Sequence, residues 1–190
     1  MSQLMICFLP HLLLFIVIGL PYSSANSNVI PMADPDMIQT ICRTNDDPPA
    51  CINILTSDPR SKTCDLAGLG RIALDLAKNV RAETWNYIDN LNAHTTDPRL
   101  HDIFNTCSYW YNNAKEYVDE AIEDLNSGAY APMMENSGAV GQAGFVCEYA
   151  FKQPPTRPSP LTDRNKRMYC LGQIATAVGS ILLLPLPPNP

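Results

Sequence analysis

Four stretches of the chain repeat apolar residues every three or four positions, and that spacing commits each to a helix with one buried stripe. After Thr63 the apolar positions are Leu66, Leu69, Ile72 or Ala73, Leu76, Val80, Ile88 and Leu91, which predicts a helix from Cys64 to Asn92. Leu100, Ile103 or Phe104, Cys107, Tyr111, Ala114, Val118, Ile122 and Leu125 form a second stripe, closed by Gly128 as a C-terminal stop. Pro132 to Phe151 carries a weaker one (Met133, Val140, Ala143, Cys147, Ala150), diluted by Gly138, Gly141 and Gly144. Beyond the break at Pro154-Pro155-Thr156-Arg157-Pro158, Met168, Leu171, Ile174 or Ala175, Val178 and Ile181 or Leu182 make the fourth. Nowhere do polar and apolar residues alternate long enough for a strand. Short connections between long helices favour an all-α fold, an antiparallel up-down-up-down four-helix bundle over residues 64–182, with a short helical hairpin over 34–57 ahead of it.

Helix starts are marked where an Asp or Ser able to cap free amides precedes a proline suited to the first helical position, at Asp34-Pro35, Asp97-Pro98 and Ser159-Pro160. Asp47-Pro48-Pro49 reads instead as the turn of the N-terminal hairpin.

Leu12 to Leu20 is an apolar run too short to span a bilayer, and it meets small residues at Ser23, Ser24 and Ala25 that suit signal peptidase. Residues 1–25 are therefore expected to be a cleaved signal peptide, with residues 26–190 forming one domain that neither spans nor sits on a membrane. The leader contains no Asp, Glu, Lys or Arg, so the remainder keeps the formal net charge of −6, which argues against a nucleic-acid partner. Cys7 leaves with the leader. Cys42, Cys51, Cys64, Cys107, Cys147 and Cys170 remain, an even number bound for an oxidising compartment, so disulfides are expected before metals. No Cys-x-x-Cys pair occurs, and His94 and His101 are the histidines beyond the leader, so neither a zinc site nor a cofactor is expected.

Six cysteines allow fifteen pairings, but a bundle filters them by height along the helices. Cys107 lies about twenty residues before the turn at Gly128 and Cys147 about twenty after it, a mismatch of roughly 3 Å of rise that a staggered turn absorbs. That favours Cys107 with Cys147. Cys42 and Cys51 flank Asp47-Pro48-Pro49 and would close the hairpin locally. Cys64, at the start of the first bundle helix, would be level with Leu182 and so roughly 18 Å along the axis from Cys170. Both are left as free or uncertain thiols, and Cys170 reads as a buried one rather than as a third bridge or a reactive site.

A di-metal carboxylate site needs Glu-x-x-His on two helices, and neither His94 nor His101 has a Glu three residues before it. No set of titratable groups converges as a catalytic site, so an enzyme is not expected. Asp119, Glu120, Glu123 and Asp124 read first as a solvated helix face and second as part of an acidic binding patch. Tyr87 and Tyr111 fit the core stripes, whereas Trp110 falls off its stripe and is divided between surface hot spot and edge of core. Close helix packing accounts for Gly68, Gly70, Gly138, Gly141 and Gly144 better than a phosphate loop does.

These features together resemble the plant family of invertase and pectin methylesterase inhibitors. The resemblance is carried by Ile41-Cys42-Arg43-Thr44, by the Cys51 to Ser61 segment with its Ser57-Asp58-Pro59-Arg60-Ser61 close, and by Asp65-Leu66-Ala67-Gly68-Leu69-Gly70 with Ile72-Ala73-Leu74. Cys107 with Tyr111 and Ala114, Ser137-Gly138-Ala139-Val140 before Cys147, and Ser159-Pro160-Leu161-Thr162 continue it. The Asp-Leu-x-Gly-Leu-Gly run is most similar to the branch that includes plane-tree pollen allergens. Membership implies a secreted cell-wall protein, or a vacuolar one if its target is a vacuolar invertase. It also implies an inhibitor that lays its bundle over the active-site cleft of a pectin methylesterase or an acid invertase in a 1:1 complex. Invertase-blocking members carry Pro-Lys-Phe in the loop between the second and third bundle helices, where this chain reads Tyr130-Ala131-Pro132. The resemblance therefore favours pectin methylesterase as target, with invertase the alternative and an allergen-like bundle without a retained target the third reading. Candidate partner contacts are Trp110, Glu120, Glu123, Tyr130 and Pro132.

Overall fold

A computed structural model describes residues 35–184, so the leader at 1–25 and the capping position Asp34 lie outside the described residues. Among the described residues six α-helices follow one another: α1 (Pro35–Cys42), α2 (Pro48–Ser57), α3 (Leu66–His94), α4 (Pro98–Ser127), α5 (Tyr130–Lys152) and α6 (Thr162–Leu183). A 3₁₀ turn at Pro59–Lys62 links α2 to α3, and there is no strand among the described residues. Neighbouring pairs α3 and α4, α4 and α5, α5 and α6, and α6 and α3 close a four-sided bundle, leaving α4 and α6 diagonally opposite. The α1–α2 hairpin rests mainly on α6. The expected all-α bundle with a leading hairpin is the architecture found.

The stripes supply the core. Leu69, Ile72 and Ile88 from α3, Ile103, Tyr111 and Val118 from α4, Met133 and Val140 from α5, and Leu171, Ile174 and Val178 from α6 are all buried. Tyr87 departs from its expected place in the stripe: it is 37% exposed, and the Arg164 guanidinium lies over its ring at 5.0 Å.

Helix ends follow local chemistry. Asp65 Oδ1 accepts from Gly68 N at 2.8 Å to start α3, and Asp97 Oδ1 accepts from Arg99 N at 2.8 Å to start α4. Gly128 ends α4 with φ 74°, a left-handed conformation that glycine adopts without penalty, and Ala129 N then returns to Asp124 O at 2.8 Å. One expected turn is a helix start, and one expected start moves. Asp47-Pro48-Pro49 begins α2 rather than forming a free turn, because Asp47 Oδ1 accepts from Ala50 N at 3.0 Å and both prolines fit the first helical turn. Ser159-Pro160 instead precedes α6: Ser159 Oγ accepts from Leu161 N at 3.2 Å, and the helix begins at Thr162 only after the fully buried Leu161.

Packing between α5 and α6 is backbone against backbone. A Cβ on Gly172 would come within 2.6 Å of Gly141 Cα, and one on Gly144 would fall on the carbonyl oxygen of Asn165. Gly138 is the exception among the glycines assigned to close packing, since a Cβ there would meet nothing within 4 Å.

Candidate target-binding surface

Two bridges fix the frame on which any surface is presented. Cys42 is bonded to Cys51 across the α1–α2 hairpin with Cα atoms 5.5 Å apart, and Cys107 is bonded to Cys147 between α4 and α5 with Cα atoms 4.6 Å apart. Cys64 is a half-buried free thiol at the foot of α3, and Cys170 is a buried one on α6 whose carbonyl oxygen accepts from Asn45 Nδ2 at 3.3 Å. Burial pushes the Cys170 thiol up to about 11, which holds it protonated and unreactive at neutral pH.

The Ser57 to Ser61 segment is absorbed by structure. Asp58 binds the Arg60 backbone amide and guanidinium, Arg60 reaches Asp75 of α3 at 2.7 Å, and the buried Ser61 hydroxyl donates to Asp58 O. At the opposite end, Arg99 donates to Ala150 O, Gln153 O and Pro155 O, closing the carbonyl end of α5, while Arg157 Nε donates to Asp97 Oδ2 at 2.7 Å.

The acidic residues of α4 divide into two kinds. Asp119 is held by Lys78 of α3 at 2.6 Å and by Lys115, and hydrogen bonding to Lys78 draws its carboxyl below the ordinary aspartate range. Asp124 accepts from Asn136 of α5 at 2.9 Å. These two clamp neighbouring helices. Glu120 and Glu123 point outward and, with Glu116, Asn112 and Asn113, line a shallow depression.

At about 100° per residue, Glu116, Glu120 and Glu123 fall within about 40° of Tyr109 around α4, whereas Trp110 and Glu123 diverge by about 140°. Trp110 is half-buried and packed against the core, its ring edge-on to Tyr109 at 6.1 Å. Tyr109, 63% exposed, is thus the aromatic residue that shares a face with the glutamates. Tyr130 and Pro132 sit in the first turn of α5, not in a loop, because the α4–α5 connection is only Gly128 and Ala129. Tyr130 packs against the core and Pro132 is exposed.

A second exposed patch has no counterpart among the expected contacts. Phe145 and Tyr149 on α5 are 50% and 54% exposed, with parallel rings 6.3 Å apart, and Tyr169 of α6 closes on Phe145 at 5.7 Å. The signal was present as an aromatic pair four residues apart, lying off the Met133, Val140, Cys147 stripe. Among the described residues, no group of three or more His, Cys, Asp or Glu side chains is placed to hold a metal ion, and no helix is long and apolar enough to cross a membrane.

Residues 36–178 match the family model described as plant invertase/pectin methylesterase inhibitor. A pectinesterase inhibitor of Actinidia deliciosa is 32% identical over 150 residues, covering 79% of this chain and 81% of that protein. An Arabidopsis thaliana protein named as a cell wall/vacuolar inhibitor of fructosidase is 29% identical over 150 residues, covering 77% and 69%. Among solved structures, mutant form A of a pectin methylesterase inhibitor from Arabidopsis matches with a TM-score of 0.69 at 24% identity, covering 78% of this chain and 97% of that one.

Proposed function

The chain belongs to the plant invertase/pectin methylesterase inhibitor family, whose members are inhibitors and not enzymes, and on that premise we propose that it inhibits a plant pectin methylesterase by covering the enzyme's cleft. Relatives with both target classes resemble it, so similarity alone does not choose between them. The observation that favours pectin methylesterase is the α4–α5 connection. It is two residues long, Gly128 and Ala129, and the Tyr130-Ala131-Pro132 that follows is already helical. Neither the Lys nor the Phe of the invertase-blocking motif stands there, and the two-residue connection is too short to project from the bundle as a loop.

What remains for contact is helix surface. The outer side of α4, with Tyr109, Glu116, Glu120 and Glu123, offers a long, shallow strip suited to a cleft rather than a hole. Inhibition is by occupancy in a 1:1 complex, outside the cell in the wall, and the reaction chemistry is the target's alone. A net charge of −6 speeds encounter with a basic target.

The test is a paired assay with purified protein. Demethylesterification of pectin by a plant pectin methylesterase should slow in proportion to inhibitor, while sucrose hydrolysis by cell-wall invertase stays unchanged. The reverse pattern would overturn the choice of target. Failure to slow either enzyme would favour a bundle that has lost its target.

A further inference from the structure

The cleft between the second half of α5 and the start of α6 is walled by Phe145, Tyr149 and Tyr169 and floored by Gly144, with Lys152 and Lys166 at its rim. We propose that it binds one ring of an acidic polysaccharide, a six-membered sugar carrying a carboxylate, with the sugar's C–H surface against the aromatic walls and the carboxylate at the two ammonium groups.

Size sets the first limit. The cleft holds about 120 Å³, close to the roughly 150 Å³ cavity that accepts a benzene ring in an engineered protein, so it admits one six-membered ring and not a helix or a strand. Gly144 at its floor lies against the backbone of Asn165, where a Cβ would collide with the carbonyl oxygen, so α5 and α6 approach closely beneath the three rings. Charge sets the second. Neither Lys152 nor Lys166 has an ion-pair partner among the described residues, although the protein as a whole is acidic. Glu148, the one carboxylate lining the cleft, is turned inward. Its oxygens accept from Thr162 Oγ1 at 3.0 Å and Asn165 Nδ2 at 2.9 Å.

Composition separates a sugar from a protein partner. Protein interfaces are depleted of lysine at their centres, and their anchors enter pockets surrounded by a broad dry rim. Here two lysines line the same small open cleft as three aromatic rings, the reverse arrangement. This site is on the α5–α6 side, away from the α4 strip assigned to the target enzyme, so sugar and enzyme can be bound independently.

The experiment titrates the full secreted chain with sodium oligogalacturonate and follows backbone amide signals by NMR, with no enzyme present. Shifts should cluster at Gly144, Phe145, Tyr149, Lys152 and Tyr169. The fully methyl-esterified oligomer, which keeps the ring and lacks the charge, should bind about tenfold more weakly. Tyr149→Ala should weaken binding about fivefold and Lys152→Gln or Lys166→Gln about two- to fivefold each. All three side chains are exposed, and unchanged melting of the variants would show that folding is intact. Absence of shifts, shifts elsewhere, or identical shifts and affinity with polyglutamate would overturn the proposal, the last because charge alone would then suffice. Because no enzyme enters the measurement, its outcome is separate from that of the inhibition assay.

Discussion

The Tyr111 hydroxyl of α4 donates to Asn165 Oδ1 of α6 at 2.9 Å across the middle of the bundle, joining the two helices that stand diagonally opposite. Asn165 Nδ2 in turn donates to Glu148 of α5, so a single buried amide holds three helices in register. Burial pushes the Tyr111 phenol well above its ordinary value, so it remains a donor throughout the working pH range.

Tyr111→Phe should therefore destabilise the protein by about 1–3 kcal/mol, because Asn165 Oδ1 is left buried without its donor. Asn165→Ala should cost more, since it also strips Glu148 of a partner. Urea denaturation of the two variants checks both statements, and a Tyr111→Phe midpoint equal to the wild type would show that the bond contributes nothing.

The glycines of α5 give a prediction of opposite signs. Gly144→Ala places a methyl group on the Asn165 carbonyl and must force α5 and α6 apart, with an overpacking cost of about 1–3 kcal/mol. Gly138→Ala meets only open space and gains about 1 kcal/mol of helix propensity. Thermal melting should move down for the first variant and up for the second. Equal shifts of the same sign would contradict the backbone contact.

The same pair of glycines shows where sequence stops being informative. Periodicity locates the four long helices to within a few residues, because the buried stripe is a local pattern and Leu69, Ile103 or Leu171 can satisfy it only as helix. It does not tell Gly138 from Gly144, since which side of α5 meets another backbone depends on how the helices cross. Tyr87 sits on the apolar spacing yet faces Arg164 and solvent, because the stripe widens past the limits of the core near the end of α3. Trp110 and Glu123 look like neighbours in a partner patch until helix angle is counted. The Phe145–Tyr149–Tyr169 patch needs two helices brought together, and residues twenty positions apart carry no local sign of that.

Acid should weaken the end of the bundle where Asp97 sits. The hydrogen bond from Arg157, followed by those from the Arg99 and Leu100 amides, holds the Asp97 carboxyl below its ordinary value of 3.8. A carboxylate depressed in the folded state contributes stability that is complete above the unfolded value and is lost as pH falls through the folded one. The loss therefore falls below about pH 4. Asp97→Asn keeps a side-chain cap for α4 but removes the charge, so its stability should fall less steeply than the wild type's between pH 5 and pH 2. Asp58, Asp75 and Asp119 are depressed as well, so some slope must persist in the variant. Parallel curves for the two proteins would show that the Asp97–Arg157 pair is not the source.

Glu120 and Glu123 separate steering from solvation. Both are exposed, and neither clamps a neighbouring helix as Asp119 and Asp124 do, so Glu120→Lys with Glu123→Lys should leave melting within about 0.5 kcal/mol of the wild type. If the α4 strip faces a basic enzyme surface, the double reversal should slow association severalfold and change dissociation much less, and the wild type's association rate should fall with added salt while the variant's should not. Tyr109→Ala on the same face should instead act on dissociation, because an exposed ring contributes contact area rather than long-range field. Surface plasmon resonance against immobilised pectin methylesterase at two ionic strengths reads all of these. Unchanged rates for both variants would remove the α4 strip from the interface and leave the fold and the inhibitory family where they stand.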